Sequence, residues 1–216
     1  MNLGCLGCLG LIMTILVVGV VAGAFVLLSG NVLEIPDVKA PELSRSDGHS
    51  AQQKLFEIVS RQAGRSSRRD PVVLTEREIN SFLAYHLADS ARIPLDPIIT
   101  RLTRGSFEVQ GKTVLRNLVQ AAPLAQLMSY LPTARLDAPV WVTVRGTVAV
   151  EPASSGSRRM VARVRFNSLT LGKQPLSASL LTLLLGRTGS RLTEFPVPSN
   201  VDSIQIEDGR AIVRTR

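Results

Sequence analysis

The residues of this 216-residue chain that could do covalent or acid–base chemistry are few, and their spacing does not assemble them. Two histidines are present, His49 and, farther along, His86. Its place among Ile79, Phe82 and Leu83 at helical intervals predicts a packed or hydrogen-bonded histidine on a buried face. His49 falls in a polar stretch and is expected in solvent. The two cysteines, Cys5 and Cys8, both precede the main apolar run, so everything downstream lacks a thiol for a disulfide, a metal or a nucleophile. Leu3-Gly4-Cys5 and Leu6-Gly7-Cys8 lie before the run that would have to precede a lipoprotein cleavage box, so lipidation is not expected there. HExxH, GxSxG and EF-hand patterns are absent. Gly186-Arg187-Thr188-Gly189-Ser190 lacks the Gly-Lys-Ser/Thr ending of a phosphate loop and reads as a turn. Glu76 and Glu78 stand where a helix begins, and a cap together with the helix dipole accounts for both. These residues predict no catalytic site, no metal and no cofactor.

Binding chemistry is better represented. The net charge is +8, and the 25 basic residues comprise 21 arginines and four lysines. Arg65, Arg68 and Arg69 cluster in a Ser-rich loop, while Arg158, Arg159, Arg163 and Arg165 cluster around a turn and the strand after it. Such patches suit phosphates of lipid headgroups, or else form a solvated face. Nucleic acid is not expected, because aromatics make up 4% of the chain and do not interleave with the arginines as stacking platforms. The other conspicuous group is apolar. Leu180, Leu181, Leu183, Leu184 and Leu185 leave residues 177–185 almost no polar face, which predicts a helix deep in a core, along an apolar cavity or against a membrane.

The elements that must position these groups read as helices first and then mostly strands. Residues 52–62 place Leu55, Phe56, Ile58 and Val59 on one broad side of an amphipathic helix. A strand entering at Val72 leads to a second helix, whose start carries the Thr-x-x-Glu capping box of Thr75 and Glu78. Beyond Pro94 and Pro97 the period becomes two. Residues 98–104 and 107–114 flank Gly105-Ser106 as a hairpin, and residues 123–131 set Leu124, Leu127, Met128 and Leu131 on one helical stripe. Val140 to Val150 and Met160 to Asn167 alternate apolar and polar around a turn at 153–157, the pattern of an antiparallel sheet covered on one side. Residues 201–207 and 210–214 form a last hairpin about Asp208-Gly209.

One segment decides the protein's place. Residues 1–33 contain no charged residue or histidine, and 9–28 are apolar nearly throughout, about twenty residues and so enough to cross a roughly 30 Å hydrocarbon core. Ala22-Gly23-Ala24 fits a cleavage pattern, yet the basic n-region is missing and the apolar run continues to Leu28, as in an anchor. Gly19 and Gly23 form a GxxxG step that would let two spans pair as a homodimer. Lys39, Arg45 and Lys54 follow the span, and the positive-inside rule alone would keep that side cytoplasmic. The expectation here is a signal-anchor at the cell membrane with the C-terminal domain outside the cytoplasm. Pro36 and Pro41 mark residues 34–46 as an extended stalk, leaving 47–216 as one domain large enough to bury a core.

The stretch Val72-Val73-Leu74-Thr75-Glu76-Arg77-Glu78-Ile79-Asn80-Ser81-Phe82-Leu83, with the closing hairpin Ser203 to Val213, resembles uncharacterised single-pass bacterial membrane proteins whose exported domain is similar to tubular lipid-binding domains. The resemblance implies a strongly curved sheet wrapped on a long helix around an apolar groove for acyl chains, and it brings no catalytic residues. The expected fold is α+β: an N-terminal transmembrane helix, then one domain with a curved antiparallel sheet packed on helices. The expected function is non-catalytic binding of membrane lipid or another apolar ligand at the cell envelope. Phe82, Leu83, Leu180, Leu181 and Leu184 would line the groove, and Arg163 and Arg165 would lie near headgroups. The alternative is a structural or scaffold module holding an envelope protein partner through a sheet edge or the arginine face.

Overall fold

The structure, a computed structural model, describes residues 32–87, 95–120, 136–153, 159–176 and 193–216. The expected span with Gly19 and Gly23, the helix expected over 123–131 and the leucine segment with Leu180, Leu181 and Leu184 lie outside those residues. Among the described residues, no helix is long and apolar enough to cross a membrane.

The described fold is α+β, and every strand pairing in it is antiparallel. Helix α1 (Arg45–Gln62) leads to β1 (Val72–Thr75) and α2 (Glu76–Phe82), which continues as a π-helical turn, Leu83–Leu87. Then follow β2 (Ile98–Thr103), β3 (Ser106–Val114), the short α3 (Leu115–Gln120), β4 (Pro139–Pro152), β5 (Met160–Leu171), β6 (Gln174–Leu176), β7 (Glu194–Val197), β8 (Val201–Glu207) and β9 (Arg210–Thr215). Where one sheet was expected there are two. The strands form a three-stranded sheet in the order β1-β9-β8 and a six-stranded sheet in the order β2-β3-β4-β5-β6, with β7 also on β5. The second sheet arises because β1 pairs with β9, Val72 opposite Val213, a partnership between the two ends of the domain that no local pattern encodes.

The three expected strand pairs form, and two of their turns lie within the described residues, the one expected at 153–157 lying largely outside them. Gly105 and Gly209 adopt φ of +76° and +74° at the turns after β2 and β8, a conformation open to glycine without a Cβ penalty. The β4–β5 pair extends farther than the alternation alone indicated and carries a register shift at Arg145/Gly146. Gly146 is required there: a Cβ would meet the Arg165 carbonyl oxygen at 2.7 Å and the Phe107 ring at 2.9 Å. Such an irregularity bends a strand and increases its twist.

Pairing fixes which side chains share a face. Ile98, Gly111, Val142 and Leu171 form one row across β2 to β5, and Leu102, Phe107, Gly146 and Phe166 another on the same side. Val140, Val142, Leu169 and Leu171 are buried there with Val32 and Leu115, each such burial being worth roughly 1.5–3 kcal/mol. Farther along the strands, the small sheet closes the face. Ile206 and Ala211 pack with Leu102, Phe107, Val148 and Ile79, while Val72, Val201 and Val213 pack with Ile58, Val150 and Val197.

Two helical expectations need correction. The first helix begins at Arg45, seven residues before the expected 52, because Gly48 and Ala51 are buried in close contact with α2; a Cβ on Gly48 would lie 3.2 Å from the Ser81 carbonyl oxygen. Phe56 and Val59 do not join Ile58 in the core. They stand 66% and 52% exposed, since α1 turns only the Ala51, Leu55 and Ile58 side inward. Residues 35–44 carry no helix or strand and are tied to the domain at both ends: Glu34 pairs with Lys173 at 2.9 Å and the Ser44 amide donates to Ser81 Oγ.

Candidate functional site

The polar residues of the stretch from Thr75 to Ser81 are engaged in holding the fold. Thr75 caps α2 by accepting from the Glu78 amide, and Glu78 accepts in return from the Thr75 amide at 2.8 Å, the expected capping box. Lys54 of α1 donates to both Glu78 oxygens, at 2.6 and 2.8 Å, and to the Val73 carbonyl oxygen. Burial alone would raise the Glu78 pKa, but the hydrogen bonds from Lys54 and Thr75 outweigh it and hold the carboxyl below its ordinary value. Glu76 does more than meet the helix dipole: its Oε2 accepts from the Leu102 amide at 2.8 Å.

Asn80 is 1% exposed and serves as a missing strand partner. Its Oδ1 accepts from the Thr100 amide at 2.6 Å while its Nδ2 donates to the Thr100 carbonyl oxygen at 2.8 Å. Glu76 and Asn80 thereby satisfy the outer edge of β2, which would otherwise present unpaired groups to another chain. The Gly209 amide completes that edge by donating to the Leu102 carbonyl oxygen. These carboxylates and amides are occupied and carry no catalytic constellation.

A cleft of about 480 Å³ with mostly apolar lining residues lies beside the π-turn that follows α2. Its walls are Ala40, Pro41 and Leu43 of the segment before α1, Leu83 and Ala84 of the π-turn, and Leu95, Pro97, Ile98 and Ile99 at the start of β2; Asp96 is its one charged residue. The wider π-turn succeeds α2 where Leu83 and Ala84 line the cleft, while Tyr85 and His86 are exposed. Leu83 is therefore one of the cleft's lining residues. Phe82 is not among the lining residues; it is partly buried with its ring centroid 5.6 Å from that of His86. His86 itself departs from the expected buried face, because the π-turn changes the helical phase on which that expectation rested.

The arginines expected near headgroups lie on the opposite, polar face of β5. Arg163 forms ion pairs with Glu151 at 2.6 Å and Glu194 at 2.9 Å, and Arg165 lies 3.8 Å from Glu151. A second groove, between α1 and β1, contains Lys54, Glu57, Arg61, Arg68, Asp70 and Glu78. Its charges are largely paired: Arg61 bonds Glu57, the Asp70 carbonyl oxygen and Thr215 Oγ1, and hydrogen bonds from Ser66 and Arg61 lower the Glu57 pKa. His49 is exposed, as expected, and contacts Gln53 one turn on.

The cleft walls at Pro41, Leu43, Leu95 and Ile99 were not expected from the sequence. Apolar residues beside prolines were a usable signal for the stalk's contact with the domain, but nothing local pairs residues 40–43 with residues 95–99. Among the described residues no group of three or more His, Cys, Asp or Glu could hold a metal ion. Compared with known proteins, the chain matches no family model and no curated relative.

Proposed function

We propose that this is a membrane-anchored, non-catalytic domain that binds a lipid or another apolar ligand at the cell envelope, its C-terminal domain lying outside the cytoplasm. The observation that carries the reading is the cleft at Leu83, lined almost wholly by aliphatic residues and prolines, beside a motif whose polar groups are already engaged. A ligand-binding site of this kind needs apolar walls and few polar groups. The long β4 and β5 strands, with a register shift at Arg145/Gly146 of the kind that bends strands, suit the curved sheet of the proposed groove. In the same reading Leu180, Leu181 and Leu184 extend the lining, and Gly19 and Gly23 pair two anchors. Arg165 is the better placed of the two arginines for a headgroup, being 71% exposed with one distant partner.

Native mass spectrometry of the full chain in detergent, delipidated and then supplied with phosphatidylglycerol, tests the proposal. The expected result is a retained lipid that Leu83→Asp releases while thermal unfolding stays cooperative. Equal retention by both proteins, or none by either, overturns it. A scaffold module of an envelope assembly is favoured by one feature, the exposed Phe56 and Val59 on α1. A protein complex that survives lipid depletion and is lost in Phe56→Ser would support that alternative.

A further inference from the structure

The polar face of the six-stranded sheet carries groups that the described fold leaves unpaired. On the side opposite the aliphatic core, Gln110, Thr143 and Thr170 form one row across β3, β4 and β5. Glu108, Arg145 and Ser168 form the next row, and Arg101 of β2 stands opposite Glu108. All of them line a cavity of about 380 Å³, with Asp37 and Lys173 also on its wall. This cavity shares no lining residue with the cleft at Leu83.

Gln110 is 5% exposed, and its neighbours set which way its amide points. Its Nε2 donates to Glu108 Oε1 at 2.9 Å, while Arg145 Nε donates to the other oxygen of the same carboxylate. Turning the amide over would set oxygen against oxygen, so Gln110 Oε1 is held as an acceptor, and no described group donates to it. Arg101 Nη2 is its complement, a buried donor with no acceptor among the described residues. Buried polar groups are rarely left so, because the lost hydration is not replaced. Arg101 and Gln110 are diagonal neighbours on adjacent strands, within reach of a common partner for side chains of this length. Trp141, the single tryptophan of the chain, lies half-buried on the same face, two residues before Thr143.

We propose that this cavity binds a saccharide, whose hydroxyls accept from Arg101 Nη2 and donate to Gln110 Oε1. A hydroxyl does both. A carboxylate or phosphate would answer Arg101 alone and an ammonium Gln110 alone. A zwitterion would answer both and leave the hydroxyls of Thr143, Ser168 and Thr170 unused. Further sugar hydroxyls pair with those three, and the apolar face of a ring packs on the Trp141 indole at the edge of the site. The ligand need bring no charge, since Lys173 is paired with Glu34 and Arg145 with Glu108. Asp37 and Arg145 are exposed, and rotamer changes in such side chains, common on binding, give the sugar access to the two covered atoms. The site stands independently of the lipid-binding reading.

The test titrates the full chain, in the sugar-free detergent lauryldimethylamine oxide, with maltotriose, the N-acetylglucosamine trimer and the galacturonic acid trimer. Binding is read by calorimetry and by Trp141 emission. The expected result is saturable binding of at least one of the two neutral trimers, with a shift in emission. Gln110→Leu and Arg101→Met keep side-chain bulk and remove the acceptor or the guanidinium, and each should weaken that binding at least fivefold. A cooperative thermal transition shows that a variant is folded, and one folded variant suffices. Saturable binding of neither neutral trimer overturns the proposal, including the case in which only the galacturonic acid trimer binds, which would make the site one for carboxylates. Equal binding by wild type and a folded variant overturns it as well.

Discussion

At the Val142–Leu171 end of the six-stranded sheet, the described contacts are aliphatic: Val32 and Leu115 press on Val140, Val142, Leu169 and Leu171, with an apolar cleft alongside. Where α2 meets β2, the closure is polar and directional, with Asn80, Glu76 and Gly209 each aimed at a particular backbone group of β2. Aliphatic contact is non-directional and tolerates sliding or exchange of one apolar group for another, whereas a buried hydrogen bond tolerates neither. The first kind of closure suits a region that admits a guest. The second suits a hinge-free support, and it holds β2 in place as one wall of the cleft.

The largest effect is expected from Leu169→Ala, which opens a cavity in the aliphatic end and should cost about 3 kcal/mol, read as a lowered thermal unfolding midpoint. Added phospholipid should recover part of that loss, since a guest can occupy an apolar void; no recovery would break the contrast between the ends. Asn80→Ala should cost about 2 kcal/mol by leaving the Thr100 amide and carbonyl unpaired. Lipid should not restore it. Amide exchange at Thr100 should accelerate in this variant and not in Leu169→Ala, which separates the two closures at single-residue resolution.

A smaller effect is expected at Glu78, about 1.5 kcal/mol at neutral pH for loss of its charged hydrogen bonds in Glu78→Gln. The carboxyl is held below its ordinary value of 4.5 in the folded protein, so its contribution is complete above that value and is lost as the pH falls through the lower folded pKa. Stability measured from pH 7 to pH 3 should therefore converge between wild type and Glu78→Gln at the acid end. A constant gap across that range would assign the loss to packing in place of charge.

Much of the support was legible because its rules are local. The Thr75–Glu78 box operates within one helical turn, and the Gly105 and Gly209 turns depend on a glycine flanked by alternating strands. The outward position of Phe56 and Val59 was not legible, because a stripe broad enough to include both them and Ile58 does not say which part of it the neighbouring elements cover. The same holds for His86, whose phase depended on a π-turn that no residue type requires.

Of the candidate site, Leu83 was recognisable as an apolar residue on a capped helix, while its neighbours Pro41, Leu43 and Ile99 were not. By itself the sequence determined the charge-free, span-length N-terminus, the alternating strands, their glycine turns and the absence of familiar catalytic motifs, since each follows from composition or from residues close in the chain. Only the tertiary structure decided that β1 pairs with β9, that Asn80 completes the edge of β2, and that the stalk lies along the domain as a cleft wall. Those contacts join residues distant in sequence, and which distant partners meet is set by the competition among all apolar faces and unpaired backbone groups for burial.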